Sequence, residues 1–326
     1  MKIYTDVFEN IISPENLFSS WANFKHDKRK RPDVQEFEIR LEENIFNLHR
    51  ELKTGIYRHG PYKPFYIHDP KQRLIHKARV RDRVVHHAIY SVLNPIFEPT
   101  FIANSFSCRI GKGTHKGVEI LGKILRKVSK NNTINCFALK GDVKKFFDSI
   151  DHEILLDILE KKIKDENTIR LLKEIINSYS VSEGCGVPIG NLTSQIFANI
   201  YLNELDQFIK HELRVKYYLR YADDFVIVSG NKKYLGKLII QIYNFLQSQL
   251  RLFLHPDKVY IRKYSQGIDF LGYIVLPHYK VVRTKTKKRI IKKLNRKNLA
   301  SYMGVLSHAN SFRLEQSLRN MLLKDI

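Results

Sequence analysis

The chain has 326 residues, 43% of them apolar, and carries 56 Lys and Arg against 33 Asp and Glu for a formal net charge of +23. That is about two domains' worth of chain with apolar material for a sizeable core, so it need not be disordered, and its positive excess points to a polyanionic partner, most simply a nucleic acid, the alternative being a basic protein that merely stays soluble. Cys108, Cys136 and Cys185 include no pair at CxxC spacing, which argues against a disulfide framework or a cysteine zinc site and suits a reducing cytosol. No apolar run approaches the ~18–20 residues of a membrane span, and the N-terminus has no apolar signal-peptide core.

In the first sixty residues charged and apolar positions alternate at helical spacing. Phe37, Leu41, Ile45 and Leu48 lie on one face of a predicted helix. Residues 61–66 are rich in proline and aromatics and read as strand or loop. Residues 79–93 read as a helix with Val80, Val84, Ala88, Ser91 and Val92 facing inward. Its His86-His87 pair cannot face one ion from one side of a helix, no HExxH motif is present, and the histidines read as structural or solvated.

The middle of the chain alternates short strands with longer helices. Residues 136–142 form a predicted strand ending at Asp142, and Asp148 and Asp151 are cap candidates for an amphipathic helix marked by Ile154, Leu155, Ile158 and Leu159. A second helix spans residues 192–210. Residues 217–229 read as a hairpin with its turn at Ala222-Asp223-Asp224. A helix over 233–250 and strands near 258–263 and 268–275 follow. From residue 281 onward basic residues run from Arg283 to Lys324 against two acids, Glu315 and Asp325, with Ile290, Ile291, Leu294, Leu299 and Met303 among them at roughly helical spacing. Charge runs are ordinarily solvated faces, but an excess this one-sided favours a helical subdomain with a phosphate-facing side, beginning near residue 280.

An Asp-Asp pair alone is ordinarily a turn. Here Asp142 ends one strand while Asp223 and Asp224 sit at a hairpin turn. If the hairpin pairs beside the Asp142 strand, the carboxylates meet at one sheet edge, where they repel one another unless cations neutralise them. Hard oxygen ligands around a triphosphate suit Mg²⁺, and two such ions can activate an attacking hydroxyl and stabilise leaving pyrophosphate.

The string Tyr221-Ala222-Asp223-Asp224, flanked by Tyr217-Tyr218-Leu219 and Phe225-Val226-Ile227-Val228, resembles the Tyr-x-Asp-Asp hairpin of reverse transcriptases. The other motifs follow in that family's order, roughly over residues 70–326. The resemblance implies an α+β right-hand polymerase fold: an N-terminal helical extension (1–70), fingers and palm (71–280) with an antiparallel sheet backed by helices, and a basic helical thumb (281–326). It implies two Mg²⁺ ions and deoxynucleoside triphosphates, with Asp142, Asp223 and Asp224 as catalytic ligands and the Val143 carbonyl holding one metal. Phe147 matches the aromatic that blocks a ribose 2′-hydroxyl, though a core aromatic beside Phe146 is the plainer alternative. Lys71 and Arg73 match residues that grip the triphosphate, as a guanidinium fork can. Ala222, Ile189, Gly190 and Gln195 match positions around the nascent base pair, and Lys258 one that could protonate pyrophosphate. Arg109 and Tyr221 match template or primer contacts, and Phe270, Leu271 and Gly272 the primer grip.

Ile189-Gly190-Asn191-Leu192-Thr193-Ser194-Gln195 departs from the Gln-Gly-x-x-x-Ser-Pro of most relatives. This Ile-Gly-x-x-x-Ser-Gln form, and residues 301–310 in lesser degree, resemble the reverse transcriptases of diversity-generating retroelements, which copy a template RNA with frequent errors at adenines. Replacing a hydrogen-bonding Gln by Ile189 removes a contact of the order that sets discrimination, about 1–3 kcal/mol; the alternative is that Ile189 simply packs against the sheet. The resemblance implies template RNA and RNA–DNA duplex as partners, a small basic accessory protein that assembles as a ring, no membrane, and the cytoplasm of a bacterial, phage or archaeal host. With no nuclease or DNA-binding appendage after the thumb, a self-contained mobile intron is not expected. The alternatives are an antiviral-defence, group II intron or retron-like reverse transcriptase, and an RNA-binding scaffold with an inactive polymerase fold.

Overall fold

The computed structural model describes residues 2–68 and 71–323; the expected division at residue 70 and the end of the basic tail at 324–326 lie outside them. The chain forms two compact units and visits each more than once: Met1–Ile102, Lys144–Gln207 and Phe245–Phe253 make one, while Ala103–Val143, Phe208–Asn244 and Leu254–Ile326 make the other.

The first unit is mostly helical. Ser13 caps the helix Pro14–Lys25 by accepting the Asn16 amide, with Pro14 in the first turn where its missing N–H costs nothing. Asp165 caps Glu166–Asn177 and also accepts the Val7 and Phe8 amides, which fixes the N-terminal segment to that helix. The single helix expected through Phe37 and Leu48 is two, Pro32–Ile39 and Leu41–Lys53. Arg40 leaves the helical region (φ −119°, ψ 45°), and the Asn44 side chain donates to the freed Phe37 carbonyl at 3.0 Å.

Two antiparallel strands, β1 (Lys63–Ile67) and β2 (Arg73–Lys77), form a hairpin. In the helix Val80–Phe97 the buried stripe runs through Val84, Val85, Ala88, Ile89 and Leu93. Ser91, expected inside, is exposed and donates to Asn16 Oδ1 at 2.8 Å, because the apolar face broadens toward Leu93 and Ile96. His86 is structural: fully buried, with Nδ1 2.5 Å from Thr193 Oγ1 and Nε2 3.0 Å from His59 Nε2. Asp151 caps His152–Glu160 by accepting the Ile154 amide, as its position predicts.

The second unit holds two antiparallel sheets. β3 (Phe137–Asp142), β4 (Tyr218–Tyr221), β5 (Asp224–Ser229) and β6 (Tyr260–Lys263) pair in the order β4-β5-β3-β6. β7 (Ile268–Phe270), β8 (Tyr273–Val275) and β9 (Lys280–Val282) form the other. The strand expected over 268–275 is thus a hairpin. Leu271 (φ 50°) and Gly272 (φ 87°) turn it, the two consecutive positive φ values that a type I′ hairpin loop requires.

One core joins both sheets to Val118, Leu121 and Leu125 of the helix Thr114–Val128 and to the C-terminal helices Thr284–Lys293, Leu299–Leu306 and Phe312–Leu323, through Ile290, Leu306 and Leu318. The basic tail is helical as expected; of its expected apolar positions Ile290 is buried in this core, Leu294 and Met303 pack against it half-buried, and Ile291 turns out to solvent because it follows Ile290 by one residue on the same helix. Cys108, Cys136 and Cys185 are all free thiols. Among the described residues no helix is long and apolar enough to cross a membrane.

Candidate active site

The pairing of β3 with β5 places Asp142 directly opposite Asp224. Tyr221 pairs with Asp224 across the hairpin, so Ala222 and Asp223 are its two-residue turn, with Ala222 in the left-handed region (φ 51°). The Asp223 carbonyl accepts the Val143 amide at 3.3 Å, tying the turn to the end of β3. Val143 also pairs with Leu254 through bonds made by its neighbours, Lys144 N–H to Phe253 and His255 N–H to the Asp142 carbonyl, both 2.8 Å. In such a pair the residue's own N–H and C=O point the other way, so the Val143 carbonyl faces the hairpin. The three carboxylates that the sequence separates by eighty residues stand together.

Their charges are crowded. Burial raises the Asp223 carboxyl to about 6, and the nearby Asp142 and Asp224 push it the same way, with Lys258 opposing. Asp224 is raised too, first by burial and then by Asp142, against the pull of Lys140. Two ammonium groups answer part of this charge: Lys258 Nζ is 2.8 Å from Asp142 Oδ1, and Lys140 Nζ is 3.5 Å from Asp224 Oδ1.

Among the described residues no three His, Cys, Asp or Glu side chains already surround a common metal point. The donor set nevertheless fits a hard divalent cation. The repulsion on Asp223 is what a cation would relieve, and all donors are oxygens.

Sequence reasoning missed two residues here. Arg220 is fully buried and donates from Nη1 to the Ala222 carbonyl at 3.0 Å, holding the turn from beneath. Lys140 is 8% exposed within β3. Each is a lone cation in a short apolar strand, and its burial shows only once its neighbours across the ladder are known.

Gly141, one residue before Asp142, faces Phe225 across the ladder; a Cβ there would lie 2.1 Å from Phe225 Cζ. Phe225 is buried beside Tyr218. Gly141→Ala therefore lowers stability by about 1–3 kcal/mol, read as a lower urea midpoint at unchanged slope.

Elsewhere in this unit Tyr221 is half-buried, with its hydroxyl 3.4 Å from Thr114 Oγ1. Arg109 Nη1 donates to the Ser105 carbonyl at 2.9 Å. Phe270 is fully buried in the core, Leu271 packs against Gly117, and the Gly272 carbonyl accepts the Arg283 amide.

The first unit gathers a separate group of expected residues. The Phe147 carbonyl accepts the Val187 amide at 2.8 Å, two residues before Ile189. The Ile189 carbonyl accepts the His76 amide at 3.1 Å, and Asn191 Nδ2 donates to the His76 carbonyl at 3.1 Å. This docks the Ile189–Asn191 segment on β2, the strand that begins with Arg73. Gly190 has φ 111°, and a Cβ there would meet Ile75 Cγ2 at 2.6 Å, so the close approach needs glycine. Lys71 and Arg73 are exposed, Phe147 is half-buried beside Phe146, and Gln195 is half-buried on the helix Leu192–Gln207.

Residues 67–275 match the family described as "Reverse transcriptase (RNA-dependent DNA polymerase)". Protein YkfC of Escherichia coli (strain K12) is 27% identical over 277 residues, 72% of each chain. The group II intron-encoded protein LtrA of Lactococcus lactis subsp. cremoris is 26% identical, covering 88% of this chain but 59% of its own length. A putative COX1/OXI3 intron 2 protein of Saccharomyces cerevisiae is 24% identical over 70% of this chain and 33% of its own. The family span contains both the paired strands bearing the three aspartates and the segment docked on β2, and the chain belongs to the reverse transcriptases, the RNA-directed DNA polymerases.

Proposed function

We propose that this reverse transcriptase extends a primer 3′ end on an RNA template through a metal site built on Asp142, Asp223 and Asp224. The observation that carries this reading is the register that sets Asp142 opposite Asp224 with Asp223 in the adjoining turn. Asp142 and Asp223 would hold the Mg²⁺ ions directly, and the Val143 carbonyl would supply one further oxygen. Bound there, the ions would activate the primer hydroxyl and stabilise leaving pyrophosphate.

The sheets of the second unit are read as the palm, the β1–β2 hairpin as part of the fingers, and residues 281–326 as a thumb against the template–primer duplex. Lys71 and Arg73 grip the triphosphate. Phe147 excludes a ribose 2′-hydroxyl and so selects deoxynucleotides. Tyr221 and Arg109 contact the primer–template end, Ala222 lies at the nascent base pair, Phe270, Leu271 and Gly272 position the primer, and Lys258 meets the departing phosphates.

The finer reading is a retroelement enzyme that diversifies a gene through adenine errors and works with a small basic ring-forming accessory protein in a prokaryotic or phage-infected cytoplasm. It is supported by Ile189 and Gln195 standing where most relatives carry Gln and Pro, Ile189 in a segment held on β2 by its own carbonyl and by the Asn191 side chain. The test is sequencing of cDNA made from a defined RNA. Errors concentrated at template adenines, reduced several-fold by Ile189→Gln, are the expected result. A uniform error spectrum rejects the adenine reading and favours an intron-type enzyme, the class named by LtrA. Untemplated products indicate a defence enzyme.

A further inference from the structure

The residue opposite the carboxylates that no motif names is Lys140. Along β3 side chains alternate between faces, so Ala138, Lys140 and Asp142 share one face, opposite Val228, Val226 and Asp224 of β5. At the Ala138 end that face is apolar and sealed, with Ala138, Val226 and Val228 in the core. At the other end it carries Asp142 and Asp224. Lys140 stands where the two meet, 8% exposed. Its position opposite Val226 makes Asp224 its diagonal neighbour across the ladder, a spacing long side chains reach, and the ammonium lies 3.5 Å from Asp224 Oδ1.

Lys258 offers a contrast. It sits on a turn, Pro256–Lys258, with 41% of its side chain exposed. A buried ammonium cannot leave its carboxylate without losing both water and partner, whereas an exposed one can. We propose that Lys140 is a positioning residue that permanently neutralises Asp224, and that Lys258 is the exchangeable cation that gives up Asp142 when a divalent ion arrives. The effect is a division of labour: Lys140 takes one of the three negative charges out of competition and leaves Asp142 and Asp223 to ligate metal. A released Lys258 is then free for the triphosphate.

This rests on the metal reading of the three carboxylates, and its test separates the two. The measurement is thermal unfolding of the full chain, without nucleic acid, over a Mg²⁺ titration, alongside the Mg²⁺ dependence of single-nucleotide primer extension. In the wild type Mg²⁺ raises the melting temperature, and Asp142→Ala removes the rise; absence of that rise overturns the metal reading itself.

With that in place, Lys140→Met leaves a third uncompensated carboxylate. Its half-saturating Mg²⁺ in the thermal titration falls several-fold, while extension at saturating Mg²⁺ slows at least tenfold because the ions are drawn toward Asp224. Lys140→Arg keeps both close to wild type. If Lys140→Met has the wild-type Mg²⁺ midpoint, Lys140 is only a core residue and the proposal fails. If Lys140→Met does not fold, the double variant Lys140→Met/Asp224→Asn decides. Recovery of folding supports a charge pair, and continued failure overturns it.

Discussion

Replacing Asp142 by Ala abolishes cDNA synthesis, with a fall of at least about a thousandfold in the single-nucleotide extension rate. At about 1.36 kcal/mol per tenfold that is about 4 kcal/mol or more of lost transition-state stabilisation, the scale a metal at the reacting oxygens supplies. Asp142 is the acid that faces both others, across the ladder from Asp224 and acting on Asp223 through charge. Asp223→Ala has the same effect, whereas Asp224→Asn, on the residue already neutralised by Lys140, costs less, about tenfold to a hundredfold. Affinity for template RNA stays within about threefold in all three, because phosphate binding rests on basic residues elsewhere on a chain of net charge +23. Paired extension and filter-binding measurements check this; extension by Asp142→Ala at near wild-type rate removes the ligand assignment.

Asp223→Asn makes the metal-free protein more stable at neutral pH even as it ends polymerisation. The Asp223 carboxyl is raised from its ordinary 3.8 to about 6, by burial first and then by Asp142 and Asp224. A raised carboxyl means that the folded state holds this proton to higher pH than the unfolded chain does. Stability from this group is therefore fully present below the ordinary value and falls as pH rises from about 4 to about 6. At pH 7 the penalty is on the order of 2–3 kcal/mol.

The neutral amide removes that penalty. Urea denaturation in a chelator should give Asp223→Asn a higher midpoint than wild type at pH 7 and no advantage near pH 4. Saturating Mg²⁺ narrows the gap at pH 7, because the cation relieves the same repulsion in the wild type. A variant no more stable than wild type at pH 7 contradicts the crowding of the three carboxylates.

The Asp223–Asp224 hairpin was legible because Tyr221-Ala222-Asp223-Asp224 between two apolar runs matches the family's hairpin with the other motifs in order, and because Asp142 closes a strand of matching length. The same pattern could not reveal Lys140 or Arg220 as buried, since a cation in a short strand shows its burial only once its partners across the ladder are known. Helix spacing carried Phe37 through Leu48 as one face, but Arg40 breaks it, a choice made by the Asn44 side chain and the packing of Phe37 on Trp21. At 268–275 an apolar run hid a turn that Leu271 and Gly272 make together. The basic tail was read from charge, and the role of Ile290, Leu306 and Leu318 in the core of the sheets depends on contacts that no local pattern contains. The two compact units likewise draw on distant stretches of chain, which a division into consecutive segments cannot express.

The most direct test is a crystal structure with primer–template, a non-reactive deoxynucleotide analogue and Mn²⁺, whose anomalous scattering locates the ions. The account predicts two ions about 3.5–4 Å apart, bound by Asp142 and Asp223, with Lys258 moved off Asp142 and Lys140 still on Asp224. Mn²⁺ bound elsewhere, or Asp142 still held by Lys258 in the complete complex, would contradict it.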